Sequence, residues 1–155
     1  MTYLEFKYGI DRLVALFLFL ILLPMILLVS VLIKLKLGSP IFFIQERPGF
    51  KEKKFLLIKF RTMSNKQDEY GKLLKDKFRL TKFGNWLRET SIDELPTLIN
   101  ILKGEMSFIG PRPLLVEYLN LYSDYERKRH NIKPGLTGLA QIKGRNSISW
   151  KTQFK

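Results

Sequence analysis

The feature that most constrains this chain is an uncharged apolar run of 21 residues near its N-terminus, at positions 13–33. A helix rises about 1.5 Å per residue, so this run could just cross a hydrocarbon core of roughly 30 Å. The run is too long for a cleavable signal peptide, and no small-residue cleavage pattern follows it. We therefore predict a membrane segment that stays attached to the chain.

Pro24 lies in the middle of this run, where it removes one helical hydrogen bond and crowds the carbonyl of Leu20. Basic residues stand on both sides of the run, so the positive-inside rule indicates no clear direction of crossing. The residues alone leave two arrangements open. The helix either breaks at Pro24 and leaves the membrane on the face where it entered, or it crosses straight through with a tolerated proline.

The chain is strongly basic and has almost no soft metal ligands. Its 27 Lys and Arg residues against 14 Asp and Glu residues make a formal net charge of +13, which favours phosphates, nucleic acid or anionic lipid as partners. It has no Cys and a single histidine, His130, so disulfides, thiolate chemistry and imidazole metal clusters are excluded. Any bound metal ion must therefore sit on oxygen ligands.

Residues 39–63 have the pattern of two short strands around a turn, with Pro48 and Gly49 suited to the centre of a type II turn. Alternation in the second strand places Lys59 and Arg61 on one face among apolar side chains. Two interpretations stay open for these cations. They are solvated side chains above a half-buried strand, or they face a phosphate.

The remaining pattern predicts mainly helix. The helical segments are residues 66–82 with an interruption at Gly71, two stretches of 83–104 that end at Gly104, and residues 113–130. A short strand is predicted within residues 131–150, an irregular stretch that is punctuated by Pro134, Gly135, Gly138 and Gly144. Aromatic and basic residues interleave between 55 and 86, and two interpretations stay open for the aromatic side chains. They belong to the core, or they lie on interfacial helices at the lipid headgroups. We therefore predict one α+β domain, mostly helical with a short β-hairpin, behind the membrane segment.

Two adjacent acids, Asp93 and Glu94, stand out in this basic chain. Ser91 and Glu94 fit a capping box, and Asp93 as N-cap would instead place Pro96 in the first turn, where proline is tolerated. Either register leaves both carboxylates at a helix N-terminus. Neighbouring helical residues point about 100° apart, so the two acids can have separate roles. One can attack phosphorus while the other holds Mg²⁺.

Two arginines near the acids are suited to bind phosphate. Arg88 precedes the acidic pair, and Arg112 stands between Pro111 and Pro113, whose restricted backbones reduce the entropy that a bidentate grip would cost. Together with the acids, these cations indicate phosphoryl transfer at a membrane.

The stretch "RETSIDELPTLINILKGEMSFIGPRPLLVEY" closely resembles the bacterial sugar transferase family, the monotopic polyprenyl-phosphate phosphoglycosyl transferases that begin glycan assembly. The motifs "QERPG", "KFRTM" and "PGLTGLAQIKGRN" and the proline-containing N-terminal helix match the same pattern in the same order. The chain is most similar to the small members that consist of the catalytic domain alone, among them the initiating enzyme of bacterial N-linked glycosylation.

The resemblance implies a two-step reaction through a covalent phosphosugar, in which UDP-sugar loses UMP and polyprenyl (undecaprenyl) phosphate accepts the sugar phosphate. It places Asp93 at the nucleophile and Glu94 at the Mg²⁺ ligand. Lys59 falls among the cations that assist the acids. The cations expected at the substrate are Arg88, Arg112, Arg61 and, near the nucleotide, Arg145.

The resemblance also implies a re-entrant membrane helix over residues 1–37 and a catalytic domain over residues 38–155. The domain is expected at the cytoplasmic face of the bacterial inner membrane, among membrane lipid and downstream glycosyltransferases, with no specific nucleic acid as partner. Two departures from the family pattern stand out. Leu23 replaces a serine that often precedes the proline, and the chain stops at Lys155, so we expect a shortened C-terminal part.

One alternative from another functional class stays open. The chain could be a membrane-anchored basic adaptor that binds an acidic partner, with Asp93 and Glu94 only capping a helix. Asp93→Asn would then lower stability without removing an activity.

Overall fold

A computed structural model describes residues 2–138 of the chain, and it begins with one long helix, α1, over Tyr3–Leu37. Thr2 caps this helix in a capping box with Glu5. The helix continues through Pro24, so the predicted break at that proline is not confirmed. By length and composition α1 is able to cross a membrane, and its re-entrant path stays a prediction.

Helix α1 packs along the rest of the protein through one stripe of its surface. Buried side chains of this stripe belong to two core clusters, and they are Ala15, Ile26, Val29 and Ile33. Large apolar side chains on its other faces are exposed, including Leu13, Phe17, Leu20, Leu27 and Leu28. An apolar surface of this extent on a helix suits contact with lipid.

The predicted hairpin is confirmed. Strands β1 (Phe42–Pro48) and β2 (Lys54–Phe60) pair antiparallel, with Phe42 opposite Phe60. The predicted type II turn is wrong, because Pro48 still pairs within the strand and the Gly49 N–H donates to the Lys53 carbonyl. The connection is therefore longer and contains a 3₁₀ helix over Phe50–Glu52.

The helix predicted over residues 66–82 is wrong for its first ten residues. Asp68 accepts the backbone N–H groups of Tyr70 and Lys72, and Gly71 has a φ of 75°, so the chain makes a tight turn there. Helix forms only as α2 (Asp76–Arg79) and as α3 (Lys82–Glu89), which Thr81 caps.

The acidic pair lies in a 3₁₀ helix over Ile92–Thr97, which runs directly into α4 (Leu98–Lys103). Neither of the two registers considered is formed, because Ser91 is the N-cap with a left-handed backbone and no side-chain capping bond. The Glu94 N–H donates to the Ser91 carbonyl instead. Both carboxylates nevertheless lie in the first turn of the helix, as predicted. Helix α4 ends at Gly104, with a φ of 78°, as predicted.

A second, parallel pair of strands closes the described part of the chain. Strand β3 (Ser107–Ile109) pairs with β4 (Gly135–Thr137), which confirms the predicted short strand. The helix predicted over residues 113–130 is present only as short pieces, which are Val116–Leu121 and Lys128–Asn131 (both 3₁₀) and α5 (Asp124–Arg127). The α+β class with more helix than strand is confirmed.

Candidate active site

Glu94 lies between two cations that come from distant parts of the chain. Lys59 Nζ donates to Glu94 Oε1 at 2.5 Å, and the Nη2 and Nη1 atoms of Arg112 lie 3.4 and 3.5 Å from the same oxygen. The Lys59 and Glu94 side chains are 17% and 19% exposed, so little water screens their attraction. Strand β2 carries Lys59 and packs directly against the 3₁₀ helix that carries Glu94.

Asp93 is next to this cluster but forms no ion pair with another residue of the described part of the chain. Within residues 2–138 no cation lies within 4 Å of its carboxylate. Burial raises the pKa of Asp93 above its ordinary value, and Glu94 adds to this rise, while the charges of Lys59 and Arg88 oppose it. Asp93 is therefore a partly buried carboxylate that no cation among the described residues contacts.

Arg88 approaches Asp93 from helix α3. Its Nε donates to Thr62 Oγ1 at 2.9 Å, which directs the guanidinium toward the end of β2. The close contact requires glycine at position 84, because a Cβ there would lie 1.7 Å from the Thr62 carbonyl oxygen. Gly84 therefore determines how near Arg88 comes to the acids.

The loop that carries Arg112 is held by two other arginines. Arg47 Nη1 donates to the Pro113 carbonyl at 3.2 Å, and Arg129 Nη2 donates to the Arg112 carbonyl at 3.0 Å. Burial lowers the pKa of Arg47, and the neighbouring charge of Arg112 lowers it further. Our site prediction missed Arg47, although the "QERPG" motif that contains it was a signal.

A large open cavity, of about 1030 Å³, lies between these groups and helix α1. One part of its wall is charged and carries both acids, Lys59, Arg88 and Arg112. Another part is apolar and includes Leu18 and Leu22 of α1. The cavity can therefore hold a ligand with a phosphate at one end and a hydrocarbon part at the other.

Arg61 has a different set of partners from the other predicted site cations. It donates to the carbonyl oxygens of Leu37, Gly38 and Ser39 at 2.5, 2.6 and 2.8 Å, so it binds the C-terminal end of α1. Its side chain is also part of the cavity wall, and its substrate contact stays a prediction. Arg145 lies outside the described residues.

Residues 2–155 match the sequence family described as bacterial sugar transferase. This chain belongs to the bacterial sugar transferase family. The matched range contains both acids and every cation discussed above. The predicted family membership is therefore confirmed.

Several relatives in this family share more than a third of their matched residues with the chain. The "uncharacterized sugar transferase EpsL" of Bacillus subtilis is 55% identical over 84% of this chain. The "UDP-glucose:undecaprenyl-phosphate glucose-1-phosphate transferase" of Xanthomonas campestris is 37% identical over 86%, and the "UDP-N-acetylgalactosamine-undecaprenyl-phosphate N-acetylgalactosaminephosphotransferase" of Aeromonas hydrophila is 36% identical over 90%. The matches span 64%, 29% and 34% of the three relatives' own lengths.

For a bacterial sugar transferase, the arrangement offers a limited set of protein ligands to a metal ion. Residues 2–138 contain no group of three His, Asp or Glu side chains that could hold one. Lys59 and Arg112 both contact Oε1 of Glu94, which leaves Oε2 without a hydrogen bond to the described residues. Mg²⁺ commonly binds one or two carboxylates and completes its shell with water and substrate phosphates, so these residues fit Mg²⁺ in the presence of substrate.

Proposed function

We propose that this chain transfers a sugar phosphate from a UDP-sugar to polyprenyl phosphate, in the first membrane step of glycan assembly. The observation that carries the proposal is the unequal environment of the two acids. Lys59 and Arg112 contact Glu94, while Asp93 beside it is desolvated and has no ion pair within the described residues. The acceptor and the donor nucleotide in the names of the Xanthomonas and Aeromonas relatives support the same reaction.

In the first step, a carboxylate oxygen of Asp93 attacks the phosphorus that bears the sugar. A new bond forms between this oxygen and phosphorus, and the bond from that phosphorus to the bridging oxygen breaks, so UMP leaves with the bonding electrons. Lys59, Arg88 and Arg112 stabilise the negative charge that collects on the phosphate oxygens. Asp93 suits this attack because no cation of the described residues has to leave its carboxylate first.

In the second step, a phosphate oxygen of the polyprenyl phosphate attacks the same phosphorus. Polyprenyl diphosphate sugar forms as the bond to Asp93 breaks, and the carboxylate is regenerated. The apolar wall of the cavity, at Leu18 and Leu22 of the membrane helix, lies where a hydrocarbon chain could accompany its phosphate to the acids. The product would then pass to downstream glycosyltransferases.

Glu94 is the residue that we propose as the Mg²⁺ ligand. Bound Mg²⁺ would neutralise phosphate oxygens of the donor and of the leaving UMP. Lys59 and Arg112 orient the Glu94 carboxylate through Oε1, so that Oε2 can be directed at the substrate. The sugar itself is not determined by these groups, which all act on phosphate.

We also propose that both ends of α1 lie on the cytoplasmic side of the bacterial inner membrane. Lys7 Nζ near the start of α1 donates to Ser107 Oγ, and Arg61, which directly follows β2, donates to the Leu37 carbonyl at the end of α1. One domain thus contacts both ends of the helix, which supports the placement of both ends on the same side of the membrane, as a re-entrant path requires. Because the chain has no native cysteine, single cysteines at Thr2 and Ser64 can be labelled from one side of sealed vesicles. Labelling from opposite sides would contradict the re-entrant path.

The direct test of the activity is UMP release by the full chain in lipid, with Mg²⁺, undecaprenyl phosphate and a panel of UDP-sugars. We expect release by the wild type and none by Asp93→Asn. Asp124→Asn is the matched control, because this exposed carboxylate lies at the start of α5 away from the cavity. Intact-protein mass spectrometry without acceptor should find a sugar phosphate on the wild type only. A folded wild type that releases no UMP from any UDP-sugar would contradict the proposal.

A further inference from the structure

The outer edge of strand β2 is bound by side chains rather than by another strand. Thr97 Oγ1 donates to the Ile58 carbonyl at 3.0 Å. Asn100 Oδ1 accepts the Ile58 N–H at 3.0 Å, and its Nδ2 donates to the Leu56 carbonyl at 2.7 Å. The two side chains thus satisfy three consecutive polar groups of the strand edge, immediately before Lys59.

We propose that Thr97 and Asn100 are positioning residues, which set the placement of Lys59 against Glu94 and thereby the rate of phosphosugar transfer. This inference rests on the proposed function. We call the hydrogen bonds of these two side chains to β2 the clamp. Thr97 stands three residues after Glu94, and Ile58 stands next to Lys59. The clamp is therefore one residue from the cation and one helical turn from the carboxylate.

The physical reason is that only directional contacts select a register between the helix and the strand. Leu57 of β2 and Leu98 and Ile101 of α4 meet in the apolar core, but apolar contacts are non-directional and tolerate sliding. Hydrogen bonds to particular backbone atoms of β2 do not tolerate such sliding. A slip of one residue would turn Lys59 to the opposite face of the strand, away from Glu94.

The side chains of Thr97 and Asn100 are deeply buried, so the loss of any of their hydrogen bonds to β2 would lower the stability of the fold. Thr97 is 1% exposed and Asn100 is fully buried. A buried amide or hydroxyl without partners is destabilising, so these residues are compatible with the core only in the register that completes their bonds. Thr97 and Asn100 therefore make every other register of β2 less stable.

Asn100 also reaches the segment that leads to Arg112. Its Nδ2 donates to Glu105 Oε2 at 2.7 Å, and its backbone carbonyl accepts the N–H groups of Glu105 and Met106. This turn connects α4 to β3, and the loop with Arg112 follows β3. Asn100 is thus bonded to the elements that bring both cations to Glu94.

The test compares Thr97→Val, which keeps the shape and removes the hydroxyl, with Thr97→Ser, which keeps the hydroxyl. We expect Thr97→Val to lower kcat for UMP release about 10- to 100-fold with KM for the UDP-sugar within about 2-fold, since a displacement near 1 Å can cost this much. Thr97→Ser should restore most of the rate. Thr97→Ala removes the same hydroxyl and replaces Thr97→Val in the comparison if the valine variant does not fold.

Ser107→Ala is the matched control, because it removes a fully buried hydroxyl that bonds to Asp11, Lys7 and the Ile109 carbonyl rather than to β2. We expect it to lower the melting temperature without the loss of kcat. If Thr97→Val lost stability like this control but kept wild-type kcat, the positioning role would be wrong and the proposed function would stand. If the wild type itself released no UMP, the proposed function and this inference would both be overturned.

Discussion

Lys59 Nζ and Glu94 Oε1 lie 2.5 Å apart, although 35 positions separate the two residues in the chain. Both side chains are mostly buried, and Glu94 has a second cation in Arg112. The ion pair connects strand β2, which carries Lys59, to the 3₁₀ helix over Ile92–Thr97, which carries Glu94.

Lys59→Met should remove transfer and also lower stability. The substitution leaves a buried carboxylate with Arg112 as its remaining cation, so we expect a loss of roughly 1–3 kcal/mol in the free energy of unfolding. UMP release should fall at least about 100-fold, because a cation at the phosphate oxygens is lost. Chemical denaturation and single-turnover assays measure the two effects.

The double variant Lys59→Met with Glu94→Gln separates these effects. It removes both charges, so stability should recover toward the wild-type value while transfer stays absent. A single Lys59→Met variant with wild-type UMP release would contradict the role of Lys59.

Gly84→Ala should disturb the helix that carries Arg88. Its new Cβ would lie 1.7 Å from the backbone carbonyl oxygen of Thr62, which cannot move as freely as a side chain. We expect a loss of about 1–3 kcal/mol in unfolding free energy and slower transfer, because α3 must shift away from β2. Thermal unfolding and UMP release test this outcome.

Gly9→Ala is the control for that substitution. A Cβ at position 9 meets no atom within 4 Å, and alanine favours helix over glycine, so stability should be unchanged or higher by about 0.5–1 kcal/mol. Equal effects of the two substitutions would contradict the close contact at Gly84.

Arg47→Lys should slow transfer through the loop of Arg112. Arg47 divides its donors between the Pro113 carbonyl and Gln45 Oε1, and a lysine ammonium does not reproduce this planar fork. Loss of one such charge-assisted bond corresponds to a decrease of roughly 10- to 100-fold in kcat/KM.

Arg127→Lys is its control, because Arg127 pairs with Glu52 in a partly exposed ion pair at the hairpin tip. It should leave the rate near that of the wild type. An equal loss in both variants would show a general effect of arginine replacement and contradict the specific role of Arg47.

His130 should make stability depend on pH. Its Nδ1 lies 3.2 Å from the Gly49 carbonyl and donates to it in the neutral ring, while Nε2 is buried with no partner in the part of the chain that the structure describes. Burial lowers the pKa of His130, with the charges of Arg129 and Arg127 in the same direction, while the bond to Gly49 and the charge of Glu52 oppose them.

The direction in which stability changes with pH depends on proton uptake by His130 in the folded and unfolded states. The unfolded chain binds a proton near its ordinary pKa of about 6.5, and the folded state binds it only at lower pH. Stability should therefore fall as the pH drops below about 6.5, and the fall should end below the folded pKa. Chemical denaturation of the wild type and of His130→Gln between about pH 8 and about pH 5 measures how the free energy of unfolding changes with pH. Parallel curves for the two proteins would contradict the prediction.

Local sequence patterns predicted the elements that short-range physics controls. The apolar run predicted α1, the alternating residues around Pro48 predicted the hairpin, and Gly104 predicted the end of α4. The helix predicted over residues 66–82 failed because Asp68 binds its own backbone N–H groups and competes with helical bonds.

The candidate site was predicted in its residue types but not in its arrangement. Lys59 and Arg61 occupy equivalent positions in the alternating pattern, yet Lys59 binds Glu94 and Arg61 binds the end of α1. Alternation indicates which side chains share a face of a strand. It does not indicate which distant segment will cover that face or lie beyond the strand's end.

The sequence by itself determined that Asp93 and Glu94 are neighbours near Arg88, that Arg112 lies between two prolines, and that an apolar helix precedes them. Only the tertiary structure decided that Glu94 receives Lys59 and Arg112 while Asp93 stays desolvated and without an ion pair among the described residues. The reason is that covalent adjacency and local propensity act over a few residues. The environment of a carboxylate depends on the packing of β2, the 3₁₀ helix and the Arg112 loop, which are far apart in the chain.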